Sequence, residues 1–174
     1  INATNYNSEL RDTKEARMKK VIEICNNTDG QILIWVKHND EGAYLEKHLE
    51  SCVNVQGSDS NEKKETNLLG FAESKFRILI TKAKIAQFGM NFQNCSTQIF
   101  ASIDFSFESY YQQIRRSYRF GQKNEVNIHV ITTDTMENVV KTIEKKQRQF
   151  IEMQDEMNRN INNVKYGLLS EYER

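Results

Sequence analysis

Five short apolar runs recur along the chain, each separated from the next by a stretch with helical periodicity. No other feature restricts the fold as much. The runs fall at 32–36, 53–55, 77–81, 98–103 and 126–131. Each is too short for a buried helix and is rich in apolar or β-branched residues, as expected for strands covered on both faces. Between them lie helical patterns. Met18, Val21, Ile22 and Cys25 repeat at i, i+3, i+4 and i+7, with Asp12 and Glu15 placed as a capping pair, which predicts a helix over 12–27. A second helix is expected to end near Leu49, a third to carry Leu68, Leu69 and Ala72, and a fourth to span 107–120. Strands alternating with helices of this length imply right-handed crossovers and a parallel sheet with helices on both faces. The expected fold class is α/β.

With 174 residues, the chain has room for one domain with a real core plus tails. Residues 1–27 read as a tail and a leading helix, 28–135 as the core, and 136–174 as a packing helix with a frayed end. Asp134 and Glu137 form a second capping pair, and Met136, Val139, Val140, Ile143, Phe150, Met157 and Ile161 keep one helical face apolar, interrupted at Gln147 and Gln154. A partner-binding or coiled-coil extension is the other reading of that stripe. The opening at Ile1 resembles mid-protein sequence and suggests a fragment.

Charge limits the choice of partners. The 24 basic and 24 acidic side chains cancel, so no global field draws the protein toward nucleic acid or an anionic membrane, and any nucleic-acid surface must be a local patch. No apolar run approaches the ~20 residues needed to span a bilayer. Cys25, Cys52 and Cys95 are odd in number and widely spaced, which argues for buried or idle thiols and against a disulfide framework or a metal site.

In a parallel sheet, ligands gather outside the carboxyl ends of the strands. That rule selects Lys37 and His38, then Gln56, Gly57 and Ser58, then Thr81 and Lys82, then Asp104, then Thr132 and Thr133. These side chains suit contacts to a phosphate backbone without base reading. On a helix over 107–120, Gln112, Arg115, Arg116 and Arg119 share one face while Phe107, Tyr110, Ile114 and Tyr118 take the other. Three guanidinium groups side by side repel unless an anion is near, which suits a polyphosphate. A solvated basic face balanced by Glu108 is the alternative.

The order Thr81-Lys82-Ala83, Phe88-Gly89-Met90-Asn91-Phe92 and Gln112-x-x-Arg115-Arg116-x-x-Arg119-x-Gly121-Gln122 resembles the last two motifs of superfamily-two helicases. The closing Arg-x-Gly-Gln is similar to the Snf-type branch. Departures from the remodeller pattern at Arg115, at Phe105-Ser106-Phe107 and at Lys84-Ile85-Ala86-Gln87 point to bacterial, prophage or phage versions, and so to a cytoplasmic location in a bacterial or phage-infected cell. The resemblance implies a RecA-like C-terminal lobe and an ATP site shared with an N-terminal RecA-like lobe. Arg116 and Arg119 would act as arginine fingers, Gln112 would help set the interlobe contact, and Gly89 and Asn91 would lie near the ribose. Lys37, His38, Gly57, Thr81 and Lys82 would touch the backbone of a nucleic acid, with DNA expected.

The chain has no G-x-x-x-x-G-K-S/T loop and no Asp-Glu pair ending a strand. The resemblance therefore assigns the phosphate cradle and the magnesium ligands to the other lobe, and implies that this chain alone turns over no ATP. A non-catalytic α/β module that binds nucleic acid or protein, with a static anion-binding arginine face, is the competing reading. A dinucleotide or methyltransferase fold is disfavoured, because the turn after the first strand reads His38-Asn39-Asp40-Glu41-Gly42 rather than a glycine-rich fingerprint.

Overall fold

The computed structural model describes residues 5–85, 90–103 and 105–172, with side chains through 159. The expected α/β architecture is what the chain adopts. Strands β1 (Ile32–Trp35), β2 (Cys52–Asn54), β3 (Ile78–Thr81), β4 (Thr97–Phe100) and β5 (Asn127–Val130) form one sheet in the order β2-β3-β1-β4-β5, with every pairing parallel. Helices α1 (Tyr6–Asp12), α2 (Lys14–Asn26), α3 (Asn39–His48), α4 (Asn61–Ala72), α5 (Phe107–Ile114) and α6 (Glu137–Tyr172) surround it.

The two-residue period of a strand sends alternate side chains of β1 to opposite faces. Ile32 and Ile34 join Ile78, Ile80 and Ile99 beneath Met18, Val21 and Cys25 of α2 and Leu45 of α3. Leu33 and Trp35 join Leu79 and Phe100 beneath Leu68 and Phe71 of α4, with Tyr110 and Ile114 of α5 at the margin. A core layer therefore lies on each side of β1, which is why the run at 32–36 shows no polar alternation. A third cluster closes one end of the sheet, where Tyr6 and Leu10 of α1 meet Ile103, Met136, Val139 and Ile143.

Two elements differ from expectation. The leading helix expected over 12–27 is α2, but it starts at Lys14 behind an unexpected α1; Thr13 between them donates its hydroxyl to the Glu9 carbonyl (2.7 Å) and accepts from Arg17 Nε (3.1 Å), and α2 has no side-chain cap from an Asp12–Glu15 pair. The helix expected over 107–120 stops at Ile114. Beyond it the bonding tightens to i→i+3, with Arg116 N–H on the Gln113 carbonyl and Ser117 N–H on that of Ile114, and the carbonyl of Arg116 is taken by Phe92 N–H (2.8 Å). Gly121, at φ +95°, completes the reversal. Tyr118, expected on the core side, is 65 % exposed as a result. Toward the C-terminus, a 3-10 turn at Asp134–Met136 leads into α6, whose backbone remains helical to Tyr172.

Candidate functional site

The carboxyl edge of the sheet opens where the connections from neighbouring strands leave for opposite faces. The chain leaves β1 toward α3 on one face and β4 toward α5 on the other, and a ligand-binding crevice is expected between two such strands. A cleft of about 420 Å³ lies there. Lys37 and His38 line it from β1, Lys82 and Lys84 from the segment after β3, and Ser102 from the end of β4. Asn7 of α1 and Ser109 of α5 complete its polar wall. Lys37 holds its ammonium 4.8 Å from the ring centre of Tyr6, a cation–π contact that keeps the charge at the rim.

Beneath this cleft is a buried ionic node. Arg17 and Glu41 are each 1 % exposed and paired at 2.7 Å. The carboxylate is fully used: one oxygen accepts from Arg17 Nη2 and from Ser102 Oγ (2.6 Å), the other from Lys37 N–H (2.9 Å) and His38 N–H (3.0 Å). Arg17 also donates to the carbonyls of Leu10 (2.6 Å) and Ala101 and to Ser102 Oγ (2.9 Å). A buried charge pair is tolerated only when the remaining donors and acceptors are satisfied, and this one ties α1, α2, α3 and the exits of β1 and β4 to one point. Sequence gave no sign of it, since an Arg and a Glu 24 residues apart on separate helices look like surface charges.

A second cleft of about 430 Å³ shares Ala83, Ser109 and Gln113 with the first and is lined also by Gln112 and Arg116. Arg116 is half-buried, and its Nε is enclosed without a hydrogen-bond partner among the described residues. Burial, and next the charge of Arg119, push its pKa down from the usual arginine value. A guanidinium remains charged even so, and this arrangement favours an incoming anion. Arg119 donates from Nη1 to the Asn91 side-chain oxygen, while Phe92 holds the Arg116 carbonyl. The Asn91 motif and the arginine segment, remote in sequence, are thus bonded to each other. Gln93 Nε2 on the Phe120 carbonyl (2.7 Å) and Gln122 Nε2 on the Gln93 carbonyl (3.1 Å) pin the turn that follows.

The expected residues separate into three groups. Lys37, His38 and Lys82 converge on one cleft, Gln112 and Arg116 on the other, and Arg119 and Asn91 pair beside them. Gly57 and Thr81 stand apart. Gly57 lies past the edge strand β2 with its carbonyl on Lys64 Nζ (2.8 Å), and Thr81 is fully buried with its hydroxyl turned to the Val55 carbonyl (3.5 Å). Gly89 and Asp104 lie outside the described residues, as does Phe88. Asn7, Lys84, Ser102 and Ser109 were not anticipated; the strand-end rule would have reached Ser102 had β4 been ended at Phe100. Among the described residues no group of three His, Cys, Asp or Glu gathers to hold a metal ion, and no helix is long and apolar enough to cross a membrane. Burial pushes the thiols of Cys25 and Cys95 up to about 11, and raises that of Cys52 as well.

Comparison with known proteins agrees with this fold. The structure of the C-terminal part of the Fun30 ATPase domain aligns with a TM-score of 0.63 at 25% identity, covering 75% of this chain and 44% of that one. The yeast DEAD-box splicing factor Prp28 aligns at 0.62 and 22% identity over 76% of this chain and 30% of its own. The C-terminal domain of the DEAD-box protein Dbp5 aligns at 0.64 and 18% identity, over 75% and 77%. The chain spans less than half the length of the first two structures. No curated protein sequence matches it significantly. The shared architecture is the RecA-like fold of helicase C-terminal domains. A family profile, described as the helicase conserved C-terminal domain, matches residues 13–121 of the 174, and the protein belongs to that family.

Proposed function

We propose that this chain is the C-terminal lobe of an ATP-dependent nucleic-acid helicase or translocase of the Snf type, from the bacterial or phage-encoded versions, with DNA as its track. In this reading Arg116 and Arg119 face an ATP site closed by an N-terminal RecA-like lobe. The observation that carries it is the union of two distant motifs, in which Arg119 bonds Asn91 and the Arg116 carbonyl takes Phe92 N–H. That union holds the backbone at Arg116 and the guanidinium of Arg119 on one short segment, and Arg116 lines a polar cleft.

The chemistry follows from charge. As the terminal phosphoryl group passes to water, negative charge spreads over its oxygens and the leaving oxygen, and two fixed cations lower the energy of that state more than that of the ground state. Arg116 is suited to this because burial weakens its competition from water. Magnesium supplies further charge neutralisation when bound and would be held by the N-terminal lobe. Gln112, on the same cleft wall as Arg116, sets the interlobe contact, and Asn91 together with Gly89 lies toward the ribose. The adjoining cleft, with Lys37, His38 and Lys82, takes the phosphodiester backbone, with Lys84 added to the set.

The test is nucleic-acid-stimulated ATP hydrolysis by the two-lobed protein. Arg119→Ala is expected to slow turnover roughly 10³-fold or more, about 4 kcal/mol of transition-state stabilisation, while an exposed position keeps the stability change within about half a kcal/mol. Arg119→Lys should rescue poorly, because an ammonium lacks the planar fork that meets two oxygens. Near-normal turnover in both Arg116→Ala and Arg119→Ala would leave the segment as a static anion site and overturn the arginine-finger reading, whereas absence of nucleic-acid-stimulated hydrolysis in the unmodified two-lobed protein would overturn the motor reading.

A further inference from the structure

Arg116 lies two residues past the end of α5, and that end is held from inside the sheet. Gln98 of β4 is fully buried, in the layer formed by Leu33, Phe100 and Ile128. Its Nε2 donates to the carbonyl of Ile114, the last residue of α5, at 3.1 Å, and its Oε1 accepts from the indole N–H of Trp35 at 2.8 Å. The amide has one orientation. An indole N–H only donates and a carbonyl only accepts, so the side chain cannot be turned over without losing both bonds.

A buried amide in such a layer is costly unless paired; this one is paired on both sides, and an apolar side chain of equal volume would leave the buried Trp35 indole N–H without that acceptor. The pairing couples the sheet core to the end of α5. What the amide provides is a tie between the helix end and the sheet: the Ile114 carbonyl already accepts from Ser117 N–H (3.2 Å) and Tyr118 N–H (3.0 Å) in the tightened turn, and Gln98 holds that same carbonyl from β4. Three of the contacts that hold the arginine segment come from residues remote in sequence or from the sheet: Gln98 at residue 114, Phe92 N–H at 116 and Asn91 at 119. The first is the only one of the three that comes from the sheet core, where movement is most restricted.

We propose that Gln98, itself oriented by Trp35, is a positioning residue that aims Arg116 into the ATP cleft. The proposal rests on the arginine-finger reading above. A displacement of about an ångström at a reacting group is enough to cost one to two orders of magnitude in rate.

Gln98→Met keeps the volume and removes both hydrogen bonds, and Trp35→Phe removes the donor that orients the amide together with part of a buried ring, so its stability is measured alongside. In the two-lobed protein at saturating nucleic acid, Gln98→Met is expected to lower kcat by about tenfold or more with KM for ATP within about twofold, the pattern of an interaction lost in the transition state alone. Trp35→Phe should lower kcat in the same sense by less. In an Arg116→Ala background, Gln98→Met should produce no further fall, because the group it aims is gone. A role confined to stability would give the same proportional loss in either background. That result, or a raised KM at unchanged kcat, or full turnover in Gln98→Met, overturns the proposal. Should Gln98→Met fail to fold, Trp35→Phe decides, and full turnover there overturns it. Slow hydrolysis in Arg116→Ala beside full speed in Gln98→Met removes the positioning role and spares the finger role of Arg116; full speed in Arg116→Ala removes both.

Discussion

Arg17 shows how one residue can govern a site it does not line. Its guanidinium reaches from α2 under the cleft, and the carboxylate it neutralises holds the N–H groups of Lys37 and His38. Removing one partner of such a pair strands the other charge where water cannot reach it, which is worse than never having built the pair. Arg17→Met is therefore expected to destabilise the chain by about 3–5 kcal/mol in denaturant unfolding. Adding Glu41→Gln should recover part of that loss, since a neutral amide oxygen still accepts from the two N–H groups while the stranded charge disappears. A loss below about 1 kcal/mol in the single variant would show that the pair is not carrying a buried charge. Thr81 gives the complementary lesson. Its place at a strand end suggested a ligand contact, but strand ends alternate like strand interiors, and its hydroxyl points inward.

At the scale of elements, much was legible and the reason is periodicity. Each described strand falls on one of the apolar runs; β1, β3 and β4 are buried along their whole length, whereas β2 and β5, at the sheet edges, are only partly so. The end of α5 was not legible. The helical pattern persists through Arg119, yet the chain leaves the helix because Phe92 takes the Arg116 carbonyl, an effect of a tertiary neighbour, and Gly121 then turns it back. Helix α1 was missed because Tyr6 and Leu10 alone make too short a period to register. The turn that replaces the end of the expected helix yields its own prediction. Gly121 sits at φ +95°, a conformation L side chains rarely adopt, and an added Cβ would lie 3.4 Å from the Gln93 amide. Gly121→Ala should cost about 1–2 kcal/mol in thermal unfolding, mostly through the backbone, since the Gln93 side chain has room to yield. An unchanged melting temperature would mean that the turn relaxes to another conformation, freeing Arg119 from Asn91.

Over the whole molecule, the zero net charge and the lysine-rimmed cleft have opposite implications for nucleic acid, and the balance between them is measurable. In the proposed function, a lobe of zero net charge supplies no long-range steering of its own, so its share of the affinity is assigned to the few cations placed at the carboxyl edge. Each lysine that neutralises a phosphate releases about one counterion, which makes the slope of log affinity against log salt a count of contacts. Lys82→Ala and Lys84→Ala, in the two-lobed protein, should each make that slope shallower by about one unit and weaken binding to the same degree whatever the sequence. Lys63 serves as the control. It is paired with Asp59 at 2.8 Å on the turn that opens α4, outside both clefts, so Lys63→Ala should leave the slope unchanged. If instead Lys82→Ala weakened binding to one sequence with the slope intact, the cleft would be reading bases, and the backbone-tracking role that a translocase requires would have to lie elsewhere on the lobe.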